Sequence, residues 1–159
     1  MKSRKIFIVS IVINIILLTI IMLKINQFED TLSRLTLYLQ GDLIQLESAI
    51  DYQNKNNWKE DNVVLEKIED VKESINYVMV TGKDSDTITK QQEQDLWTLY
   101  NFLKKYPDYT GFPNTQLSET DRSKLVELGL KLRTAGWGMN MSYNGRWDSF
   151  SKALRTLVE

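Results

Sequence analysis

Residues 6–23 form an uncharged apolar stretch that constrains this 159-residue chain more than any other feature. The stretch reads IFIVSIVINIILLTIIML, and its polar interruptions are Ser10, Asn14 and Thr19. At 1.5 Å of rise per residue, a helix of this length approaches the hydrocarbon thickness of a bilayer, roughly 30 Å. The stretch therefore predicts a transmembrane anchor at residues 6–23.

A cleaved signal peptide is the main alternative, because basic residues precede the apolar stretch. The apolar region of a signal peptide usually spans about 7–15 residues and ends in small residues at the cleavage site. Here the run is longer and continues into the residues LKINQF at positions 23–28. The sequence therefore favours an uncleaved anchor.

Charges on the two sides of the anchor predict its orientation. Lys2, Arg4 and Lys5 precede the span, whereas a single Lys24 follows it and is succeeded by acidic residues. Because basic residues favour the cytoplasmic side, the N-terminus is expected there. This gives a cytoplasmic tail at residues 1–5 and an extracytoplasmic domain at residues 24–159, in a single-pass protein of the cell membrane. A tail of that length has no room for a signalling or DNA-binding element.

Asn14 is the one polar residue of the span whose side chain cannot return its hydrogen bonds to its own helix as Ser and Thr do. An amide in lipid gains from a partner on another helix, so Asn14 is a candidate for a helix–helix contact within the membrane. A single tolerated polar residue is the simpler reading.

Composition excludes several kinds of chemistry. The chain has no cysteine and no histidine, which removes disulfides, thiol or imidazole catalysis, Cys/His zinc sites and His-ligated haem. Beyond residue 24 it has sixteen basic against twenty-one acidic residues, a net charge of −5. This acidic domain is not suited to nucleic-acid phosphates. We predict no cofactor, no metal site and no nucleic-acid partner.

Apolar residues after the span follow a heptad-like seam. They recur at spacings of 3, 4, 3, 4, 4, 3 and 4, at Ile25, Phe28, Leu32, Leu35, Leu39, Leu43, Leu46 and Ile50. The extra four-residue step falls across Gly41, where it would locally unwind a supercoil. The seam predicts a coiled-coil-like stalk helix at residues 25–53 that continues the anchor. Leu37 and Tyr38 lie off the seam and suggest a second buried face.

The rest of the chain predicts four more helices, at residues 58–80, 87–106, 119–135 and 146–158. The second helix has the cleanest periodicity, with apolar residues at Val64, Ile68, Val71, Ile75 and Val78. No segment shows a competing strand-like alternation. The predicted fold class is all-α: an anchor helix, a stalk and an extracytoplasmic helical bundle. The sequence leaves open whether the stalk pairs between two chains or folds against the second helix.

The connection at residues 136–147, GWGMNMSYNGRW, is the least ordinary segment. Its glycines allow close approach of a ligand, and its aromatic, amide and guanidinium groups suit a sugar, a peptide or a cell-wall fragment. The candidate ligand- or partner-binding residues are Trp137, Asn140, Tyr143, Asn144, Arg146 and Trp147. In the alternative interpretation, the tryptophans only cap the core and the glycines turn the chain.

Three functions remain open from the sequence. The first is a non-enzymatic interaction module that scaffolds or modulates another membrane or envelope protein, with self-association through the stalk as one form. The second is a ligand-binding ectodomain that uses residues 136–147 and acts through a partner. The third is a carboxylate-dependent cell-wall hydrolase, for which no particular pair of carboxylates stands out.

Overall fold

The computed structural model describes residues 2–111 and 116–159, and side chains at residues 7, 8 and from 10 onward within those ranges. Helices make up 78% of the chain, and the described part contains no strand, which confirms the all-α fold class. The helices are α1 (Lys2–Lys55), α2 (Asp61–Asp84), α3 (Lys90–Leu103), α4 (Glu119–Ala135) and α5 (Trp147–Val158).

Helix α1 is a single 54-residue helix, roughly 80 Å long, that runs from the apolar stretch into the domain without a break. It is long and apolar enough to cross a membrane by length and composition. Its most apolar 18-residue window has a mean hydropathy of 2.0, and none of that window is buried within the chain. The predicted stalk is therefore the second half of the same helix.

Other helices of the same chain cover the seam of α1 between Leu35 and Ile50. Leu39, Leu43 and Leu46 are fully buried, and α1 contacts α2, α4 and α5. The ring of Tyr77 in α2 contacts that of Tyr38, and Arg133 in α4 pairs with Glu47, so both helices pack along α1. Helix α3 completes the domain against α2 and α5. From Leu35 onward, the seam of α1 is therefore covered by helices of the same chain. In this fold it is not free to pair with another chain.

Local chemistry explains where observed helix ends differ from the predicted ones. Helix α2 begins at Asp61 instead of residue 58, because Asn57 and Trp58 adopt positive φ angles of 56° and 52°. It extends to Asp84 instead of residue 80, and Gly82 in its last turn leaves room for Ile88, whose Cγ2 atom would lie 2.6 Å from a Cβ atom there. Helix α3 begins at Lys90, after Thr89 and Gln92 form a capping box.

Two buried charged groups of α2 hold Asp108 and Leu117, which lie in the described parts of the connection between α3 and α4. The Lys72 ammonium donates to Asp108 at 2.6 Å, and the Asp61 carboxylate accepts from the Leu117 backbone N–H at 2.8 Å. Arg122 at the start of α4 also pairs with Asp61, at 2.9 Å. Because a buried charge is costly without a partner, these contacts fix the far end of the domain.

Substituting Leu39→Ala is expected to lower the free energy of unfolding by about 2–5 kcal/mol, because it leaves a cavity in the seam. The exposed Gln45→Ala variant of the same helix should change it by less than about 0.5 kcal/mol. Thermal unfolding of the full chain in detergent micelles measures both. Since the seam is covered within one chain, the melting temperature should not depend on protein concentration; a rise with concentration would indicate pairing between chains.

Candidate functional site

The connection between α4 and α5 is ordered by glycines at both ends. Gly136 has a φ of 105° and closes α4 with left-handed backbone, a conformation that favours glycine. Gly145 lies against α1, where a Cβ atom would sit only 2.7 Å from the Ser33 carbonyl oxygen. The first glycine turns the chain, and the second lets the connection approach the backbone of α1.

Both tryptophans of this connection belong to the core. Trp137 is 1% exposed, Trp147 is also buried, and the two rings pack on Phe150 with centroid distances of 5.8 and 5.0 Å. The Trp147 indole Nε1–H donates to Asp95 of α3 at 3.1 Å. Trp137 offers no open face to a ligand, whereas Trp147 is 8% exposed and lines an open groove beside Arg146 and Asp148. Most of the surface of both rings packs in the core.

A buried amide on α1 fastens the connection to the rest of the domain. Gln40 Oε1 accepts a hydrogen bond from the Trp137 indole at 3.2 Å, and Gln40 Nε2 donates to the Asn144 carbonyl oxygen at 2.8 Å. Gln40 is 97 residues from one partner and 104 from the other. No periodic pattern or motif in the sequence indicates this role, because Gln40 lies beside the seam as an ordinary polar residue.

The remaining predicted residues of the connection are exposed. Asn140 and Tyr143 reach solvent, and the Asn144 side chain accepts a hydrogen bond from the Arg146 backbone N–H at 3.0 Å. The Arg146 guanidinium lies 3.7 Å from the Asp148 carboxylate, and both side chains are exposed. The six predicted residues thus separate into two buried tryptophans and four surface residues, and they do not form a single aromatic cleft.

A second candidate surface lies on α1 itself, and we call it the α1 face. Along the domain, one side of α1 is not fully covered by the other helices and falls within an arc of about 100°. Its members are Arg34, Leu37, Tyr38, Gly41, Gln45, Ser48 and Tyr52. No atom of a neighbouring element lies within 4 Å of a Cβ atom built at Gly41. This arc continues the exposed surface of the apolar first half.

The α1 face was mispredicted at Leu37 and Tyr38, for which the sequence suggested a second buried face. They are 38% and 57% exposed, because α2 and α4 pack against the seam on either side and leave this arc open. The sequence does contain a sign of this uncovered arc. Leu37, Gly41, Gln45 and Ser48 are four, four and three residues apart, so they share one side of the helix, and three of them are small or polar. Large residues on such an arc cannot be assigned to core or surface without knowing the number of neighbouring helices.

Beside the α1 face, a groove between α1 and α2 combines aromatic rings with carboxylates. The rings of Tyr38 and Tyr77 meet edge to face at 5.9 Å, and both are more than half exposed. The other lining residues are Asp42, Asp70, Glu73 and Ser74. Ser74 donates to Asp42. The hydrogen bond between Lys67 and Asp70 raises the pKa of the Lys67 ammonium. The groove is open, aromatic at one end and acidic at the other.

Asn14 lies on the opposite side of α1 from the α1 face. It is exposed, and 18 residues, or about five turns, separate it from Leu32 of the seam. A partner helix that contacts Asn14 within a membrane would therefore lie on the seam side of α1, between the domain and the N-terminus of the helix.

Among the side chains that the structure describes, no three acidic residues are grouped to hold a metal ion.

Replacing Gln40 with leucine is expected to loosen residues 136–146. The change leaves the Trp137 indole N–H and the Asn144 carbonyl oxygen without their partner. The loss costs about 1–3 kcal/mol for the buried indole N–H and less for the carbonyl of the exposed Asn144, which water can reach. Urea unfolding followed by tryptophan fluorescence should show lower stability and, in the native state, red-shifted emission. The control is Gln45→Leu on the exposed side of the same helix; an equal effect in both variants would contradict the bridging role.

No family model matches this sequence, and neither a curated protein nor a solved structure matches it. The candidate surfaces are thus defined by the contacts of this chain alone. They are the exposed part of the α4–α5 connection, the α1 face and the groove between α1 and α2.

Proposed function

We propose that this chain is a membrane-anchored helical module that binds another membrane or envelope protein, with its domain on the extracytoplasmic side. The observation that carries the proposal is the continuity of α1. One helix bears an apolar segment that nothing in the chain covers, the spine of the domain, and an arc that stays open along both. A partner in the same membrane could meet this helix along its whole length.

The uncovered apolar segment supports the anchoring part of the proposal. The large hydrophobic residues between Phe7 and Leu23 whose side chains the structure describes are between 43% and 67% exposed. Soluble proteins rarely leave such a continuous apolar surface in water, since burying apolar surface is favourable by roughly 25 cal/mol of free energy per Å². A bilayer covers such a segment on all sides, and its helical backbone needs no outside hydrogen-bond partner there.

The aromatic groups beside α1 support the binding part. Tyr38, Tyr52 and Tyr77 expose more than half of their surface. Tyrosine is enriched at protein interfaces, because its ring gives apolar contact area and its hydroxyl retains a hydrogen bond. The groove next to these rings contributes carboxylates. A partner segment with basic and apolar residues would complement this surface and the net charge of −5 beyond residue 24.

Burial of both tryptophans reduces the support for a ligand-binding ectodomain built on residues 136–147. The remaining exposed groups there include one aromatic ring, that of Tyr143. For the hydrolase alternative, a general acid and a second carboxylate must face each other across the substrate. In the α1–α2 groove Asp42 and Asp70 already accept hydrogen bonds from Ser74 and Lys67, so neither is held ready for that role. Protein binding is the use that fits these surfaces best.

Photo-crosslinking in native membranes tests the proposal. Benzoylphenylalanine replaces Tyr38 or Tyr77 one at a time in the full chain, and the adducts are identified by mass spectrometry. We expect the same membrane protein in adducts from both positions, because the two rings touch across one surface.

Trp97 is the matched control for this experiment. It is a comparably exposed aromatic residue on α3, a helix that does not contact α1. Identical adducts from Trp97, or none from Tyr38 and Tyr77, would contradict the proposal. Adducts that contain only this chain would show that the surface joins two copies instead of binding another protein.

A further inference from the structure

An apolar stripe on the seam side of α1 continues from the domain toward the apolar segment. We call Ile21, Ile25 and Phe28 the open stripe. At about 100° per residue they fall, together with Leu32, within an arc of about 60°. Ile25 is 49% and Phe28 is 37% exposed, whereas Leu32 is partly buried against the core. The domain thus covers the seam from Leu35 onward and leaves the open stripe largely uncovered.

A bilayer alone does not explain why the stripe has only one side. Lipid surrounds a helix from every direction and therefore favours apolar residues all round it. Past residue 23, the open stripe stands among residues that are charged or polar: Lys24, Asn26, Gln27, Glu29, Asp30 and Thr31. Apolar residues restricted to one side of a helix, three and four positions apart, are typical of contact with another helix. The open stripe therefore indicates a protein neighbour.

Asn14 lies on the same side of α1 as the open stripe. It precedes Leu23 by nine residues, or about 14 Å along the helix, so its amide would lie near the middle of the hydrocarbon if residues 6–23 span a membrane. An amide at that depth gains from a hydrogen bond with a second helix, because lipid offers it none. One helix packed on the seam side would meet both Asn14 and the open stripe.

The domain limits how far such a helix can extend. Gly145 and Trp147 line a groove together with Leu32 and Ser33, so the domain occupies the seam side from there onward. A helix on the open stripe therefore ends before Leu32, within about 13 Å of the end of the apolar segment. A second copy inserted in the same orientation does not fit, because packed helices lie about 8–10 Å apart and both domains would need the space between them.

Charges in this groove favour a basic residue at the end of the packed helix. Arg146 and Asp148 pair with each other at 3.7 Å. Glu29 and Asp30 also line the groove, and both are exposed without an ion pair to any side chain that the structure describes. A lysine or arginine one or two turns beyond the apolar part of the packed helix would complement these two carboxylates.

We propose that the seam side of α1 from Asn14 to Phe28 binds a transmembrane helix of another membrane protein, which ends on the extracytoplasmic side before it reaches the domain. Its apolar residues pack on the open stripe, one of its polar groups bonds to Asn14, and a basic residue at its end lies beside Glu29. This contact is on the opposite side of α1 from Tyr38. It rests on the membrane-anchoring part of the proposed function and not on binding at the α1 face.

Photo-crosslinking along residues 25–28 in native membranes tests this contact. Benzoylphenylalanine replaces Ile25, Phe28 or Gln27 one at a time in the full chain, and mass spectrometry maps the captured peptides. We expect adducts from Ile25 and Phe28 to contain one transmembrane segment of one protein, near its extracytoplasmic end. Gln27 is the matched control, because it lies about 100° around the helix from Phe28, and it should not capture that segment.

Paired variants test the polar contacts through the yield of the Phe28 adduct. Asn14→Leu should lower this yield at least about threefold, whereas Thr19→Val, on the other side of the segment, should leave it unchanged. Glu29→Lys should lower it by a similar factor, and Glu66→Lys on α2 makes the same change in net charge and should have no effect. All four positions are exposed, so the fold should be retained.

The proposal would be overturned if Ile25 and Phe28 captured no protein, if Gln27 captured the same segment, or if the yield were unchanged in Asn14→Leu or Glu29→Lys. Adducts that contain only this chain would overturn it as well. Its failure is separable from that of the α1 face. Adducts from Phe28 without adducts from Tyr38 and Tyr77 would leave this contact and remove binding at the α1 face, and the reverse pattern would do the opposite.

Discussion

Leu39, Leu43 and Leu46 are fully buried where α1 packs against its neighbours, and the position of every other helix depends on this contact. Helices α2 and α4 lie along α1, α5 contacts both α1 and α4, and α3 is held between α2 and α5. Because α1 is continuous with the apolar segment, the same helix has an uncovered apolar surface along one part and a protein core packed on the other. Burying each leucine contributes about 1.5–3 kcal/mol, which makes this seam the main support of the domain.

The strongest sequence signals concerned period and length. The seam spacing and the apolar periodicity of the later segments predicted helices whose cores match the observed ones, because apolar periodicity is a local property. The positive φ angles at Asn57 and Trp58 had no such signal, and they delay the start of α2. The all-α class was therefore accessible from the sequence, whereas several helix ends were not.

The candidate site was less predictable, because it depends on which helices become neighbours. The composition of residues 136–147 suggested a binding loop, yet Phe150 and Gln40 draw its two tryptophans into the core. Gln40 lies about 100 residues from the groups it joins, a distance at which no local pattern operates. Tyr38 and Tyr77 form a surface pair for the same reason: α2 packs beside the arc that contains Tyr38 and does not cover it. Long-range contacts thus determined both the loss of one candidate surface and the appearance of another.

A continuous α1 has a consequence for how the module would work. If the apolar segment spans a membrane, the α1 face would keep a fixed direction relative to it, because the segment and the spine of the domain are one helix. Under the proposed function, a partner in the same membrane would then meet the α1–α2 groove in a defined orientation, which would lower the cost of ordering the two proteins on binding. A flexible stalk would give no such advantage.

Hydrogen exchange of the full chain in bilayer nanodiscs tests this continuity most directly. Residues 24–31 join the apolar segment to the domain and make few contacts with other elements, since residues 24–30 are exposed. If α1 is one rigid helix, the amides of residues 24–31 will exchange much more slowly than those of an unstructured peptide, without a break between the protected segments on either side. Exchange there at the rate of an unstructured peptide, with both flanks protected, would show a hinge and contradict the account.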